Sequence, residues 1–211
     1  MSKRAKQIIG AIGGIVGFIA SVIGIYAWIT GKNLPDVMAA VNTKSVASNT
    51  LAVGDTILFG RRLLAHRWQV LDVQEGRALI IFEKTFLKLP YNDGNETVSW
   101  ADCTLRAYLN GDFFSIYFSA KQQARIIETA LGDTKDFIFL LSEDEANHYF
   151  LSDNDRISKY MFVPRKPADW WLRSDYPGTV SRTVSVEGAI RGYTAVEESR
   201  GVRPALWLKL T

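Results

Sequence analysis

One cysteine, Cys103, and two histidines, His66 and His148, are all the thiol and imidazole that 211 residues contain. An intramolecular disulfide is excluded, a cysteine-rich zinc site with it, and little is left for a histidine-based one. Stability must then come from a hydrophobic core, and a folded part of about 160 residues can bury roughly 70% of its unfolded surface, so it needs no staple. The sequence also lacks the G-x-S-x-G nucleophile elbow, the P-loop, the dinucleotide fingerprint and the H-E-x-x-H zinc helix. Missing too is a basic face. Residues 1–44 carry Lys3, Arg4, Lys6, Lys32 and Lys44 against Asp36, so the net charge of +3 leaves the remainder at −1. Such a remainder offers little for phosphate neutralisation, and nucleic acid is not an expected partner.

The sequence does contain an uncharged stretch between Gln7 and Gly31. Residues 8–30, as a helix, would reach roughly 35 Å against about 30 Å of bilayer hydrocarbon. Tyr26 and Trp28 stand near one end and Lys3, Arg4 and Lys6 at the other, which predicts a transmembrane helix with a cytoplasmic N-terminus. A cleaved signal peptide is the alternative, but its apolar part is about 7–15 residues long. Gly10, Gly14 and Gly17, with Gly13 and Ser21, recur at helical spacing, a stripe along which two copies could associate. Residues 31–52 are small and polar and read as a stalk.

From Val53 onward the pattern is that of a folded domain. Arg67–Gln74 and Arg77–Lys84 are rich in β-branched, aliphatic and aromatic residues and flank Glu75–Gly76, which predicts a hairpin. Phe137–Leu141, Arg182–Val186, Ala189–Tyr193 and Val202–Leu210 are further expected strands. Capping boxes at Ser99/Asp102, Ser119/Gln122 and Ser142/Glu145 announce three helices, each followed by apolar residues at helical spacing: Leu105, Tyr108 and Leu109, then Ala124, Ile126 and Ile127, then Ala146, Tyr149 and Phe150. Strands and helices mixed without βαβ regularity predict an α+β fold.

Chemistry-bearing candidates are few. Asp153, Asn154 and Asp155 form an acidic cluster without the glycine and bidentate glutamate of an EF-hand, which favours a solvated loop. His148 lacks a triad-type partner at readable spacing, and Cys103 lacks a cationic neighbourhood that would make it a thiolate. Near the C-terminus Trp170, Trp171 and Arg173 lie in one segment and Arg203 and Trp207 in another. Indole faces and guanidinium forks can build a ligand wall, and the same pieces can be internal, with the arginines bonded to carbonyls and carboxylates.

The strings W-A-D-C-T-L-R-A-Y-L-N (100–110), F-L-L-S-E-D-E-A-N-H-Y-F (139–150), W-W-L-R-S (170–174) and G-V-R-P-A-L-W-L (201–208) resemble an uncharacterised family of bacterial domains of unknown function. W-Q-V-L-D-V (68–73) and P-Y-N (90–92) look like its opening strand and loop. The order of pieces is also similar to the C-type-lectin-like fold of formylglycine-generating, sulfatase-modifying enzymes. That resemblance implies a mixed domain whose terminal strands meet and whose long irregular region carries the binding surface. The enzymes' cysteine pair is absent, as are the E-P-N, Q-P-D and W-N-D strings of calcium-dependent lectins.

The sequence therefore predicts an α+β, C-type-lectin-like domain preceded by one transmembrane helix. Residues 1–7 would be a cytoplasmic leader, 8–30 the span, 31–52 the stalk and 53–211 an extracytoplasmic domain. The expected function is a single-pass, membrane-anchored recognition module that binds a protein or glycan without catalysis. Trp170, Trp171, Arg173 and Arg203 are the candidate ligand residues, with no catalytic residue, metal or cofactor. The bilayer and a second copy held through Gly10, Gly14 and Gly17 are the other expected partners. The alternatives are an envelope hydrolase or modifying enzyme built from loop carboxylates and Arg173, and a structural subunit of a membrane assembly.

Overall fold

The computed structural model describes residues 51–61, 66–163, 165–175 and 179–210. Strand β1 (Thr56–Phe59) leads into β2 (His66–Gln74) and β3 (Arg77–Phe82), and β4 (Lys88–Pro90) follows. A helical stretch comes next: α1 (Thr104–Tyr108), a π-helical turn over Leu109–Phe113, α2 (Phe114–Tyr117) and α3 (Ala120–Gln123). Short strands β5 (Ile126–Ile127), β6 (Thr129–Leu131) and β7 (Thr134–Asp136) precede α4 (Glu143–Tyr149) and α5 (Asp153–Arg156). The chain closes with β8 (Ser158–Lys159), β9 (Pro167–Ala168), β10 (Trp170–Asp175), β11 (Val180–Val184), β12 (Ile190–Ala195), β13 (Ser199–Gly201) and β14 (Ala205–Lys209).

Two five-stranded sheets organise these elements. The first, in the order β1-β2-β3-β14-β5, is antiparallel throughout, and the last strand lies inside it between β3 and β5. Ala78–Phe82 and Ala205–Leu208 are buried without alternation, because both faces of the sheet centre are covered. The second sheet runs β12-β11-β10-β13-β4, with β10 and β13 parallel through Trp170 and Gly201. A Cβ at Gly201 would stand 2.3 Å from the Asp169 carbonyl and 2.3 Å from Thr85 Cγ2, so only glycine lets these backbones approach. Val202, Arg203 and Pro204 then carry the chain from the second sheet into the first.

The hairpin expected around Glu75–Gly76 forms as β2 and β3, with Gly76 at φ +74° in the left-handed region. Phe137–Leu141, expected as a strand, is not one. Asn110 Oδ1 accepts from the amides of Phe137 (2.8 Å) and Ile138 (3.1 Å), and Asn110 Nδ2 donates to the Ile138 carbonyl at 2.9 Å. A side chain thus replaces the ladder, and only Phe139 pairs with Ala205 of β14. The Ser119 and Ser142 boxes do cap helices. At Ser99 the helix starts later, capped by Cys103, whose Sγ accepts from the Arg106 amide at 3.4 Å.

The α+β, lectin-like expectation is corrected: the described fold is mostly β-sheet, and its helices span only four to seven residues. The physical reason is visible after Ser119. Ile126 and Ile127, expected on a helix face, are β-branched and leave the helix to pair with Leu208 and Trp207 of β14. Membrane anchoring is corrected as well, since among the described residues no helix is long and apolar enough to cross a membrane. The expected span 8–30 and its Gly10, Gly14 and Gly17 stripe lie outside the described residues, so the single-pass topology is not carried further.

The acidic cluster resolves into a third capping box. Ser152 Oγ accepts from the Asp155 amide (3.4 Å), and Asp155 Oδ2 accepts from the Ser152 amide (3.0 Å), starting α5. Asp153 pairs with Arg156, whose Nε donates to the Gly188 carbonyl at 2.9 Å. These carboxylates act as helix caps and charge partners. Ser152→Ala should cost about 1 kcal/mol, the usual loss of an N-cap, measured as a shift in urea midpoint. An unchanged midpoint would mean the box contributes nothing.

Candidate functional site

The four sequence-predicted ligand residues are not brought together as an open wall. Trp170 and Trp171 are fully buried, their indole N–H groups donating to the carbonyls of Arg156 (3.1 Å) and Leu89 (2.9 Å). Arg203 is 2% exposed, with its guanidinium carbon 4.8 Å from the Trp170 ring and 5.5 Å from the Phe150 ring. Its Nε donates to the Phe82 carbonyl at 3.1 Å, and burial pushes its pKa down to about 10, partly opposed by Glu83. Arg173 stands apart at the start of α4, where its Nη2 bonds Glu145 Oε1 at 2.6 Å. Glu145 also caps α4, Glu143 pairs with Arg182 at 2.9 Å, and the Glu143 amide donates to Ser174 Oγ at 2.7 Å. This cluster fastens α4 to β10 and β11.

The recurring tryptophan-arginine motif at 100–106 is equally internal. Trp100 Nε1 donates to Asp136 Oδ2 and Arg106 Nε to Asp136 Oδ1, both at 2.7 Å, in a pair whose carboxylate is fully buried. Cys103 is buried and His148 exposed, its ring 4.8 Å from that of Tyr149. No three His, Cys, Asp or Glu residues among those described stand where they could hold a metal ion.

Arg173 Nε and Arg203 Nη1 are buried without a hydrogen-bond partner among the described residues, and a second group of residues around β2 shares this unmet capacity. The β2 strand starts at His66, whose imidazole is ringed by Phe82 (5.1 Å between centroids), Phe86 (5.4 Å) and Tyr117 (5.9 Å). The π-helical turn places Phe113 between two tyrosines, stacked on Tyr117 at 4.3 Å and 19° and lying 6.2 Å from Tyr108. The π-helical turn joins α1 directly to α2, and such π-bulges are frequent at functional sites. Phe162 closes the outer edge, 5.8 Å from Phe86 and 38% exposed.

Within this aromatic enclosure His66 Nε2 and Tyr108 Oη are buried and have no hydrogen-bond partner among the described residues. Burial holds the His66 pKa down at about 4, so the ring is neutral at physiological pH. The Tyr108 phenol is raised, first by burial and then by Asp112, and that of Tyr117 by burial and then by Tyr108. All three stay uncharged near pH 7. An imidazole this weakly basic and phenols this weakly acidic are poorly matched to proton transfer, and the arrangement suits neutral hydrogen bonding against aromatic faces. Sequence reasoning missed the enclosure, considering His66 only as a metal ligand and Tyr108 only as a helix-face residue. The crowded string F-F-S-I-Y-F at 113–118 was the available signal.

A family model, the domain of unknown function DUF6273, matches residues 75–210. The chain belongs to this family. The match takes in all four of the longer motifs quoted above and begins downstream of W-Q-V-L-D-V. In this DUF6273 domain the tryptophans and Arg203 of those motifs are buried and Arg106 is half-buried, and Trp100, Arg106, Trp170, Trp171 and Arg203 hold the two sheets and the helical stretch together. No curated protein and no solved structure matches the chain.

Proposed function

We propose that the domain is a non-catalytic recognition module that binds a protein or glycan through the enclosure of His66, Tyr108 and Tyr117. The observation that supports this reading is the pair of buried polar atoms, His66 Nε2 and Tyr108 Oη, that lie among aromatic rings without a hydrogen-bond partner among the described residues. Each such atom costs about 1–3 kcal/mol of desolvation unless something bonds it. A ligand hydroxyl or amide entering beside Phe162 would meet that demand, while its apolar faces would rest on the rings of Phe86 and Tyr117. The enzyme alternative built on Arg173 is less favoured, because Arg173 is already bonded to Glu145 and Glu145 to the α4 cap.

The full chain, probed on glycan and peptide arrays, should retain a defined set of ligands. Tyr108→Phe should weaken them about tenfold, the effect of one lost hydrogen bond, while leaving the denaturant midpoint unchanged or raised. Equal binding by wild type and Tyr108→Phe, or chemical conversion of a retained ligand, would end the proposal.

A further inference from the structure

The turn that carries Phe162 has a second property. Lys159, Arg165 and Lys166 are exposed on it, and exposed Lys84 and Lys88 adjoin it through the Thr85 amide, which donates to the Lys159 carbonyl at 3.0 Å. Lys88 Nζ and Lys166 Nζ lie 5.3 and 5.9 Å from the Tyr160 ring, so both ammonium groups are drawn onto one aromatic surface. The nearby acids are already engaged. Asp169 accepts from the Tyr160 hydroxyl (3.1 Å) and pairs with Arg200 (3.0 Å), and Glu83 pairs with Arg67. None of the five cations takes part in an ion pair among the described residues. In a part of the chain that sums to −1 beyond residue 44, five uncompensated positive charges around one turn are a local excess.

Two further features mark the turn. Phe162 and Val163 are 38% and 48% exposed beside those charges. Arg165 has φ +63°, the left-handed conformation that glycine adopts at least cost, and it is alone in this among described non-glycine residues. An arginine held where glycine would be easier is a strained residue on an exposed turn, and such strain gathers at functional positions.

We propose that the surface formed by Lys84, Lys88, Lys159, Arg165 and Lys166 with Phe162 and Val163 docks an acidic polypeptide segment that also carries apolar side chains. Charge complementarity selects the acidic partner, and the adjoining phenyl and valine select apolar residues between its carboxylates. A polypeptide is favoured over a lipid surface because Phe162 rests against Phe86 and the lysines rest on Tyr160, so the surface is laid flat. A lipid-inserting tip would have to stand clear of the domain to reach several ångströms into the interface. The inference rests on the domain being a binder, but its residues lie outside the hydrogen-bonding groups of the enclosure.

The test uses the full chain and three probes: a fluorescein-labelled peptide of repeating Glu-Leu-Glu, heparin, and vesicles of phosphatidylcholine with phosphatidylglycerol. The peptide should bind with an affinity that falls at least tenfold from 50 to 300 mM NaCl. Lys166→Glu, Arg165→Gly and Phe162→Ser should each weaken it fivefold or more, whereas Tyr108→Phe should leave it unchanged and so separate this surface from the enclosure. Arg165→Gly should keep or raise the denaturant midpoint, which isolates binding from folding. The proposal is overturned if the variants bind the peptide as wild type does, or if heparin binds as tightly and is indifferent to Phe162→Ser. Retention on vesicles without retention of the peptide would overturn it in favour of lipid.

Discussion

Arg203→Ala is expected to destabilise the domain by about 3–5 kcal/mol, a large share of the roughly 5–15 kcal/mol that holds a domain together. The guanidinium fills the crossing between the sheets, where the chain leaves β13 and enters β14. Truncation removes its hydrogen bond to the Phe82 carbonyl, leaves that crossing with a cavity beside Trp170 and Phe150, and abolishes a desolvated cation–π contact. Arg173→Ala should cost only about 1–2 kcal/mol, because its partner Glu145 keeps the Ser142 amide and partial access to water. Urea midpoints of the two variants decide the matter. Arg203→Met adds a control on packing: it restores most of the volume without the charge, and because Nη1 of Arg203 has no partner among the described residues, part of the loss should be recovered. A wild-type midpoint for Arg203→Ala would show that the crossing does not need the arginine.

The arginines show what a sequence reveals at this level. The segments around 170 and 203 stand out by composition, and their contact follows from a single parallel pairing, Trp170 with Gly201. What composition could not settle was which side of the burial boundary they occupy, since tryptophan and arginine serve equally for a wall and for a core. Gly201 held the clue, because a backbone approach this close places the following arginine inside. Hairpins and caps were legible because their chemistry is local: Gly76, Ser119 and Ser142 act within a few residues. The Phe137–Leu141 segment was not, because Asn110 satisfies its backbone from 27 residues away. The overall balance of helix and strand was misjudged for a related reason. Capping boxes fix where a helix starts, and the tertiary demand of β14 for a partner at Ile126–Ile127 fixes where it stops. The enclosure was illegible because His66, Tyr108 and Tyr117 come from two distant segments and form no motif.

Acidification should expose the burial of His66 directly. The folded state keeps the imidazole neutral down to about pH 4, whereas the unfolded chain takes up a proton near 6.5. Between those values the unfolded state binds more protons, so stability falls as pH drops through 6.5, and the loss from this group is complete near 4. At 1.36 kcal/mol per unit the full loss is about 3 kcal/mol, and about 2 kcal/mol of it should have appeared by pH 5. Carboxylates titrate at the acid end as well, so the informative quantity is the difference between wild type and His66→Phe, which lacks the group but keeps an aromatic ring among Phe82, Phe86 and Tyr117. Relative to pH 7.5, that variant should gain about 2 kcal/mol on wild type at pH 5. His148 is the other histidine, so in His148→Gln a single imidazole remains and its NMR titration reports His66 alone. Parallel stability curves, or a titration near 6.5, would mean that the ring is solvated and that Nε2 is not the buried, unpartnered acceptor on which ligand binding is argued. A ring that stays neutral also makes binding at the enclosure independent of pH between 6 and 8, and a binding profile that rises or falls across that range would have to come from the cationic turn or from the ligand.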